Sequence, residues 1–270
     1  MFKTRLISGI VLVALLLVFG VIGGDLLLAG LGVISLIGLY ELYRVFHIEK
    51  RILGLTGYAA TVLYYVFLKL GAYDIHLDLL LFSMILLILL MAVYVFSFPK
   101  YKADQVMAAF FGIFYVAVML SCIYRTRELV NGQYLIWLIF LCSWGCDTCA
   151  YCVGMLMGKH KMAPVLSPKK SIEGAVGGVV GAALLTVIYG MVFREAMGSS
   201  MNHVFLLAGI SAVGALISMV GDLAASAIKR NYEIKDYGTL IPGHGGILDR
   251  FDSVIFTAPI IYFLAAYMIK

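Results

Sequence analysis

The sequence predicts an all-α integral membrane protein with about nine transmembrane helices. Hydrophobic residues make up 63% of the 270 positions and charged residues only 13%, which is far from the composition of soluble domains. Apolar runs recur along the chain, most of them near the ~20 residues that a helix needs to cross a bilayer. They cover residues 6–22, 26–46, 52–70, 77–98, 106–123, 134–157, 174–193, 204–228 and 254–269. A lipid bilayer is therefore the expected environment.

The first two runs are predicted to be separate helices joined by a turn at Gly23-Gly24-Asp25. A single helix over both runs would be about 60 Å long, roughly twice the thickness of the hydrocarbon core. Lys3 and Arg5 before an apolar run are also typical of a signal peptide. No Ala-x-Ala-like cleavage site ends that run, and a second run follows at once. We therefore expect a retained first helix.

Lysine and arginine are distributed unequally between alternate loops. If the N-terminus is cytoplasmic, fifteen of the twenty lie on the cytoplasmic side, as the positive-inside rule requires. Arg125 and Arg127 are exceptions. The two polar loops, 158–172 and 229–253, then face the cytoplasm. We expect a protein of the cytoplasmic membrane whose N-terminus and active site are on the cytoplasmic side.

The position of the polar motifs divides the chain into three predicted regions. Residues 1–72 hold three helices and residues 73–130 hold two. Residues 131–270 hold four helices and both polar loops, so the catalytic site is assigned to this C-terminal region. Three roles remain open for the first five helices: they could stabilise the fold, form a homodimer contact or form the entrance for lipid.

Small residues at helical spacing mark the seventh and eighth runs. Such residues let transmembrane helices approach closely, since packing replaces the missing hydrophobic drive between them. They are Gly174, Gly177, Gly178 and Gly181 in the seventh run, and Gly214, Ala215, Ser218, Gly221 and Ala225 in the eighth. We expect these two helices to form a tight pair that carries the site.

Two aspartates, Asp147 and Asp222, lie inside apolar runs. A charge near the centre of a span costs about 2.5–3.5 kcal/mol on insertion scales, so each needs a partner or a water-filled cavity. On the eighth helix, Asp222 and Ser226 share one face. Lys229 and Arg230 reach the same face about one turn later. This face suits a metal ion beside a phosphate, or alternatively an internal network in which Asp222 neutralises a nearby cation.

The segment after the eighth run has the composition of an anion-binding loop. Residues 242–246 read Pro-Gly-His-Gly-Gly, and glycines let main-chain N–H groups approach a ligand closely. His244 adds a hydrogen-bond donor or a proton-transfer group. Asp249 and Asp252 follow, and hard oxygen ligands of this kind suit Mg²⁺ with its waters and substrate phosphates. Helix capping is the alternative reason for aspartates at this place.

The other polar loop predicts a second anion site. Ser171 is the expected N-cap of the seventh helix, and Lys169 and Lys170 lie beside its positive end, where anions bind readily. A P-loop is excluded because Gly158-Lys159 lacks the required spacing, a following Ser or Thr, and a preceding strand. A positive-inside anchor would explain the lysines but not the serines, glycines and proline between them.

The region 144–253 resembles the phosphatidate cytidylyltransferases, also called CDP-diacylglycerol synthases. The resemblance is carried, at the family's spacing, by Ser226, Lys229, Arg230, Lys235, Asp236, Gly238, Pro242, His244, Gly245, Gly246, Asp249, Arg250 and Asp252. Upstream, the pattern is also similar at Asp147, Gly158, Lys159, Pro168, Lys170, Ser171, Glu173, Gly221 and Asp222. Before residue 144 the resemblance is only topological.

This resemblance implies an enzyme that joins CTP to phosphatidic acid, releasing pyrophosphate and forming CDP-diacylglycerol for phospholipid biosynthesis. It also implies an Mg²⁺ ion on the CTP phosphates, held by Asp222 and Asp249. Asp147 or Asp252 would then hold a second cation, for which a monovalent ion such as K⁺ is one choice. CTP, phosphatidic acid and the bilayer are the expected partners. Nucleic acid is not expected, and a homodimer is left open.

Positioning and charge neutralisation carry most of the catalysis in such a transfer. The expected catalytic residues are Asp222, Asp249, Lys229, Arg230 and Arg250, and the expected substrate-binding residues are Lys169, Lys170, Ser171, Ser226, Lys235, His244, Gly245 and Gly246. Because a guanidinium offers a planar fork, we expect Arg230 or Arg250 to grip a phosphate. The phosphatidate oxygen is already ionised, so His244 is expected to bind a phosphate or a metal shell rather than move protons.

Two other functions fit parts of the pattern. A CTP-dependent polyprenol or phytol kinase would transfer the γ-phosphate to an alcohol, and an acidic residue would have to accept the hydroxyl proton. A secondary transporter would also explain interrupted helices and aspartates inside the membrane. Transporters tend to build sites from paired repeats near the midplane, whereas the polar residues here are confined to two loops on one side. The sequence therefore favours the cytidylyltransferase.

Overall fold

The computed structural model describes residues 2–70, 75–243 and 245–268. Over these ranges, helices follow one another with short connections. They are α1 (Phe2–Ile22), α2 (Gly24–Val45), α3 (Ile52–Lys69), α4 (Ile75–Phe96), α5 (Ala103–Arg127), α6 (Gly132–Met157), α7 (Ile172–Phe193), α8 (Met201–Asn231) and α9 (Leu248–Met268). Eight of the described helices are long and apolar enough to cross a membrane, and a shorter apolar stretch lies at Ile7–Ile22. The predicted all-α membrane fold is confirmed.

The last two helices extend past their apolar runs. α8 continues to Asn231 and α9 begins at Leu248, so the predicted polar loop 229–253 is reduced to residues 232–247. An apolar run marks only the part of a helix that lies in hydrocarbon, whereas the hydrogen-bonded turns continue beyond it. Lys229 therefore lies in the last turn of α8, and Asp249 lies in the first turn of α9.

A short antiparallel hairpin, β1 (Lys161–Ala163) and β2 (Ser167–Ser171), joins α6 to α7. Its strands are too short for an alternating pattern to show in the sequence, which did not reveal it. Glu173, in the first turn of α7, holds the approach to the hairpin. Its carboxylate accepts hydrogen bonds from the backbone N–H of Lys159 at 3.1 Å and of His160 at 3.2 Å. The hairpin is thereby fixed against the start of α7.

Two local predictions are confirmed. Ser171 ends β2 and caps α7, because its Oγ accepts a hydrogen bond from the backbone N–H of Gly174 at 3.1 Å. The chain turns between α1 and α2 where predicted. Gly23 and Gly24 have φ angles of +67° and +53° there, in the left-handed region that glycine adopts without steric cost.

Contacts between helix ends assign the connections to two ends of the bundle. At one end, Arg127 Nε donates to the carbonyl oxygen of Gly20 at 3.1 Å and so joins α5 to the end of α1. At the other end, Ser8 Oγ donates to the carbonyl oxygen of Pro242 at 3.2 Å and so joins α1 to the loop before α9. Both polar loops lie at this second end, called the polar end below.

The small residues of α7 face α6. A Cβ atom at Gly178 would lie 2.9 Å from Cys146 Sγ, and one at Gly181 would lie 2.5 Å from Cys149 Sγ. Both cysteines are free thiols. In the part of the chain that is described, no group of His, Cys, Asp and Glu side chains is arranged to hold a metal by itself. These thiols therefore pack against glycine and form the α6–α7 contact.

The small residues of α8 face α9 as well as α7. A Cβ atom at Gly221 would lie 2.8 Å from the carbonyl oxygen of Asp252 and 2.9 Å from Phe256 Cβ. α8 meets α7 near the middle of both helices, where Thr186 Oγ1 donates to Ser211 Oγ at 2.8 Å. The expected pair of helices is thus part of a group of four, in which α7 also packs on α6 and α8 also packs on α9.

One hydrophobic core joins the N-terminal helices to the C-terminal region. Leu31 of α2, Leu120 of α5 and Val254 of α9 are all buried in it. Each of the three predicted regions, 1–72, 73–130 and 131–270, contributes side chains to this core. The first helices therefore support the last four directly.

Replacing Gly178 by leucine should test the α6–α7 contact. The new side chain has no room against Cys146, and overpacking of this kind costs about 1–3 kcal/mol. Gly209→Leu is the matched control, since nothing lies within 4 Å of a Cβ atom there. Thermal unfolding in detergent should show a lower midpoint for Gly178→Leu only. Equal midpoints for the two variants would contradict the packing described.

Candidate functional site

Asp222 is the centre of a polar cluster at the polar end. Its Oδ2 forms an ion pair with Lys170 Nζ, which β2 brings over α8. Its Oδ1 accepts a hydrogen bond from Ser226 Oγ at 3.5 Å, one turn later on the same helix. The helical face predicted for α8 thus exists. Its acid is neutralised by a lysine from the hairpin, whereas the alternative considered from the sequence was a cation of α8 itself.

Asp249 is buried and its carboxylate is fully engaged by donors of the protein. Oδ1 accepts from Lys229 Nζ at 2.9 Å, while Oδ2 accepts from the backbone N–H of Tyr237 at 2.8 Å and of Gly246 at 2.9 Å. A Cβ atom at Gly245 would lie 2.9 Å from Oδ2. The φ angle of this glycine is +89°. Asp249 therefore organises the glycine-rich loop, and a metal at Oδ1 would take the place of Lys229.

Asp147 and Asp252 complete the acidic part of the cluster. Asp147 of α6 lies near the side chain of Ser253 of α9. Asp147, Asp222 and Asp252 lie within electrostatic range of one another. Three helices therefore bring three carboxylates together at the polar end. Mutual repulsion of these charges favours a bound cation or a cationic side chain between them.

The cluster also contains donors without acceptors among the described residues. Arg250 Nε and Tyr115 Oη are buried and have no hydrogen-bond partner there, whereas Lys170 Nζ, which is also buried, is held by its ion pair with Asp222. Buried polar groups nearly always have partners, so such groups call for an explanation such as a ligand. Lys170 and Arg250 both act electrostatically on Asp147. The unpartnered Nε of Arg250 and the paired ammonium of Lys170 therefore adjoin the acids, where a bound phosphate would lie.

The donor set fits a hard divalent cation together with an anion. Mg²⁺ is usually bound by one or two carboxylates, several waters and substrate phosphates rather than by a complete protein cage. Asp222 already holds a cationic group, the ammonium of Lys170, in a position that a metal ion could take. In the described residues no three acids form a preassembled metal cage.

Three of the predicted site residues that the structure describes are not held in this cluster. Lys169, Arg230 and Lys235 are exposed at the surface of the polar end. His244 lies outside the described residues. Their predicted roles stay predictions.

Tyr237 is a residue of the candidate site that the sequence did not reveal. Its backbone N–H donates to Asp249, its hydroxyl donates to the carbonyl oxygen of Ala225 at 3.0 Å, and its ring lies 5.3 Å from Lys229 Nζ. The side chain is fully buried, and this burial raises the pKa of the phenol well above its ordinary value. Tyr237 thus remains a neutral donor and shapes the site around Lys229.

α2 also reaches the site, which the sequence analysis did not predict. Glu41 accepts hydrogen bonds from the backbone N–H groups of Ile247 and Leu248, and Arg44 Nη2 donates to the carbonyl oxygen of Tyr237 at 2.7 Å. One signal was available, because Glu41 is an acid within the second apolar run and such residues are seldom without function. Its partners could not be identified from the sequence, since they lie about two hundred residues away.

Tyr115 is a further residue near the site that the sequence did not reveal. It lies in a π-helical segment of α5, Ile113–Val118, a kind of segment that is frequent at functional sites. Its ring stacks on Phe111, with centroids 5.0 Å apart. Its buried hydroxyl is within electrostatic range of Asp222 and Asp252. The bulge in α5 therefore directs a neutral donor at the acidic cluster.

Comparison with known proteins shows similarity along the whole chain. The family model for the cytidylyltransferase family matches residues 3–268. A protein of Staphylococcus haemolyticus is 32% identical over 268 residues, covering 98% of this chain and 100% of its own. One of Bacillus subtilis is 33% identical over 278 residues, covering 98% and 97%. One of Staphylococcus aureus is 40% identical over 152 residues, covering 56% and 55%. All three relatives carry the name phosphatidate cytidylyltransferase.

The unpartnered hydroxyl of Tyr115 leads to a stability prediction. Tyr115→Phe should leave the free energy of unfolding unchanged or raise it, because an unsatisfied buried hydroxyl costs about 1–3 kcal/mol. Tyr43→Phe is the matched comparison, since Tyr43 Oη donates to the carbonyl oxygen of Ala109 at 2.7 Å. It should lower stability by about 0.5–1.5 kcal/mol. A similar loss in both variants, measured by unfolding in detergent, would show that Tyr115 has a partner in the folded protein.

Proposed function

Because the chain belongs to the cytidylyltransferase family, we propose that it joins CTP to phosphatidic acid, forming CDP-diacylglycerol and pyrophosphate. The observation that supports this most directly is the polar cluster. Carboxylates of α6, α8 and α9 lie beside buried cationic donors at one end of a membrane bundle. Such an arrangement suits a reaction between two anions, a nucleoside triphosphate and a lipid phosphate.

We propose that the polar end faces the cytoplasm. Nucleoside triphosphates are cytoplasmic, and the positive-inside distribution of lysine and arginine gives the same orientation. The bilayer would then present the lipid headgroup at the depth of the polar cluster, while CTP enters from the aqueous side. Neither substrate would have to enter a solvent that its charged part cannot tolerate.

The phosphates of CTP are proposed to bind between the start of α7 and the end of α8. Ser171 caps α7, and a helix N-terminus attracts anions through its free N–H groups and its dipole. Lys170 and Lys229 are each paired with one carboxylate. When phosphates bind, both ammonium groups turn towards them and leave Asp222 and Asp249 with free oxygen atoms. Arg250 then offers its guanidinium, whose Nε has no acceptor among the described residues, to a second phosphate.

Asp222 and Asp249 are the proposed ligands of Mg²⁺, with Asp147 or Asp252 for a second cation that could be monovalent. When bound, the metal would neutralise phosphate charge and polarise the bonds at phosphorus. The remaining contribution of the protein is orientation. Lys170, Lys229 and Arg250 hold the two anionic substrates near each other despite their repulsion.

The reaction itself is an in-line substitution at the α-phosphorus of CTP. An oxygen of phosphatidate forms a bond to this phosphorus, and the bond to the bridging oxygen of pyrophosphate breaks. No general base is needed because the attacking oxygen is ionised at neutral pH. The lysines and arginine at the cluster stabilise the charge that develops on the leaving pyrophosphate.

Product identity is the direct test of this function. With CTP, phosphatidate and Mg²⁺, purified protein in nanodiscs should release pyrophosphate and form a CDP-lipid. CDP together with a phosphorylated prenol, formed when polyprenol is supplied, would instead indicate a lipid kinase. Substrate flux across proteoliposomes without consumption of CTP would indicate a transporter.

Asp222→Asn and Asp249→Asn should each reduce turnover by roughly 10²-fold or more, the range found when an electrostatic stabiliser is removed from an active site. Both variants should still insert into the membrane, because insertion depends on the apolar length of the helices, which neither substitution changes. Asp104→Asn is the control, since Asp104 is an exposed residue in the first turn of α5 at the polar end. Near-normal turnover in either site variant would remove that residue from the proposed metal site.

A further inference from the structure

Glu41 of α2 caps a helix that lies far away in the sequence. Its Oε1 accepts from the backbone N–H of Ile247 at 3.1 Å, and its Oε2 accepts from that of Leu248 at 2.9 Å. These N–H groups begin α9, where the first donors of a helix have no acceptor within the helix. A carboxylate is also favoured there by the helix dipole. Glu41 is 4% exposed. It therefore supplies a buried negative charge to the start of α9.

Two glycines allow the loop to approach this carboxylate. A Cβ atom at Gly238 or at Gly246 would collide with the carboxylate oxygens of Glu41. Any larger residue would therefore force the loop away from α2. The glycines of this loop thus make room for two different carboxylates: Gly245 accommodates Asp249, whereas Gly238 and Gly246 accommodate Glu41.

Arg44 fixes the other side of the same loop. It lies three residues after Glu41, so both side chains project from one face of α2. Its Nη2 donates to the carbonyl oxygen of Tyr237 at 2.7 Å. α2 therefore supplies both signs of charge to a single loop. Glu41 accepts hydrogen bonds from the N–H groups at the end of the loop, and Arg44 donates one to a carbonyl group near the beginning of the loop.

These contacts lead in two steps to the groups at the site. Tyr237, whose carbonyl oxygen is held by Arg44, donates its own N–H to Asp249 Oδ2. Asp249 Oδ1 in turn accepts from Lys229 Nζ. A small displacement of the loop would therefore move the acceptor that holds Lys229. Misplacement of a positioned group by as little as 1 Å can reduce turnover about 10²-fold.

We infer that Glu41 and Arg44 are positioning residues of this enzyme, which hold residues 237–248 so that Asp249 and Lys229 meet the nucleotide phosphates in a fixed geometry. Glu41 is within electrostatic range of Asp249, but the hydrogen bonds of Glu41 and Arg44 go to the backbone of the loop and the start of α9, through which both residues act. The inference rests on the proposed function for its catalytic meaning. It also assigns the second helix, from the half of the chain without sequence motifs, to the catalytic machinery.

Kinetics of the full-length protein in nanodiscs, with CTP and phosphatidate, test the inference. Glu41→Gln keeps the size of the side chain but replaces one acceptor by an amide NH₂, which would face an N–H group. Loss of a charged hydrogen bond of this kind should raise the KM for CTP about tenfold. Glu49→Gln is the matched control, because it makes the same chemical change in the loop after α2 and touches no part of residues 237–248.

Hydrogen exchange gives a readout that does not depend on the reaction. In Glu41→Gln, the amides of residues 237–250 should exchange faster than in the unmodified protein, while exchange elsewhere is unchanged. Faster exchange throughout the protein, with a lower kcat and an unchanged KM, would indicate a purely structural role and overturn the inference. Exchange and kinetics equal to those of Glu49→Gln would overturn it as well.

Arg44 offers an independent test by conservative rescue. Arg44 donates one hydrogen bond to Tyr237, and a lysine can donate one as well. Arg44→Lys should therefore retain the KM for CTP, whereas Arg44→Ala should raise it. Equal values for the two variants would remove Arg44 from the positioning role.

If Glu41→Gln fails to accumulate, Glu41→Asp keeps the charge at a shorter reach and is measured in the same way. Should the unmodified protein form no CDP-lipid, the proposed function fails, and exchange over residues 237–250 alone decides whether α2 fixes the loop.

Discussion

Carboxylates that lie at the end of a membrane bundle must be matched by donors, and this requirement shapes the C-terminal half of the protein. An unpaired charge in a medium of low dielectric constant costs several kcal/mol. Asp249 is therefore surrounded by Lys229 and two backbone N–H groups, and Asp222 is paired with Lys170. The donors come from the loop, the hairpin and α8. Satisfying a few acids thus helps to fix the positions of the hairpin and the loop relative to α8 and α9.

Close helix packing brings the acids within reach of each other. Gly221 lets α8 lie directly against the backbone of α9 at Asp252, and the glycines of α7 let α6 approach in the same way. A larger residue at these positions would separate the helices and increase the distances between the acids. The small residues and the acids thus act together. The small residues determine how closely the acids approach one another, and the charges of the acids are then stabilised by the lysines and backbone donors around them.

Much of the fold and part of the site could be read from the chain before its structure. Each predicted span has a helix over most of its length, the turn at Gly23 and the N-cap at Ser171 are confirmed, and α8 places Ser226 within hydrogen-bond distance of Asp222. These are local features, set by hydrophobic length, backbone conformation and helical spacing. The hairpin was not predicted because its strands are too short to produce a pattern. Glu41, Tyr115 and Tyr237 were not predicted because their roles depend on partners that are distant in sequence.

The sequence by itself determined the membrane environment, the succession of helices and the charged and polar side chains available to the candidate site, since hydrophobicity and side-chain chemistry are properties of each segment. Only the tertiary structure decided which partner each charge has. Lys170 pairs with Asp222 across the hairpin, Lys229 pairs with Asp249, and Glu41 caps α9. The physical reason is that pairing of buried charges depends on distance in space, and the approach of α2, β2, α8 and α9 to one another is a result of packing that no single segment encodes.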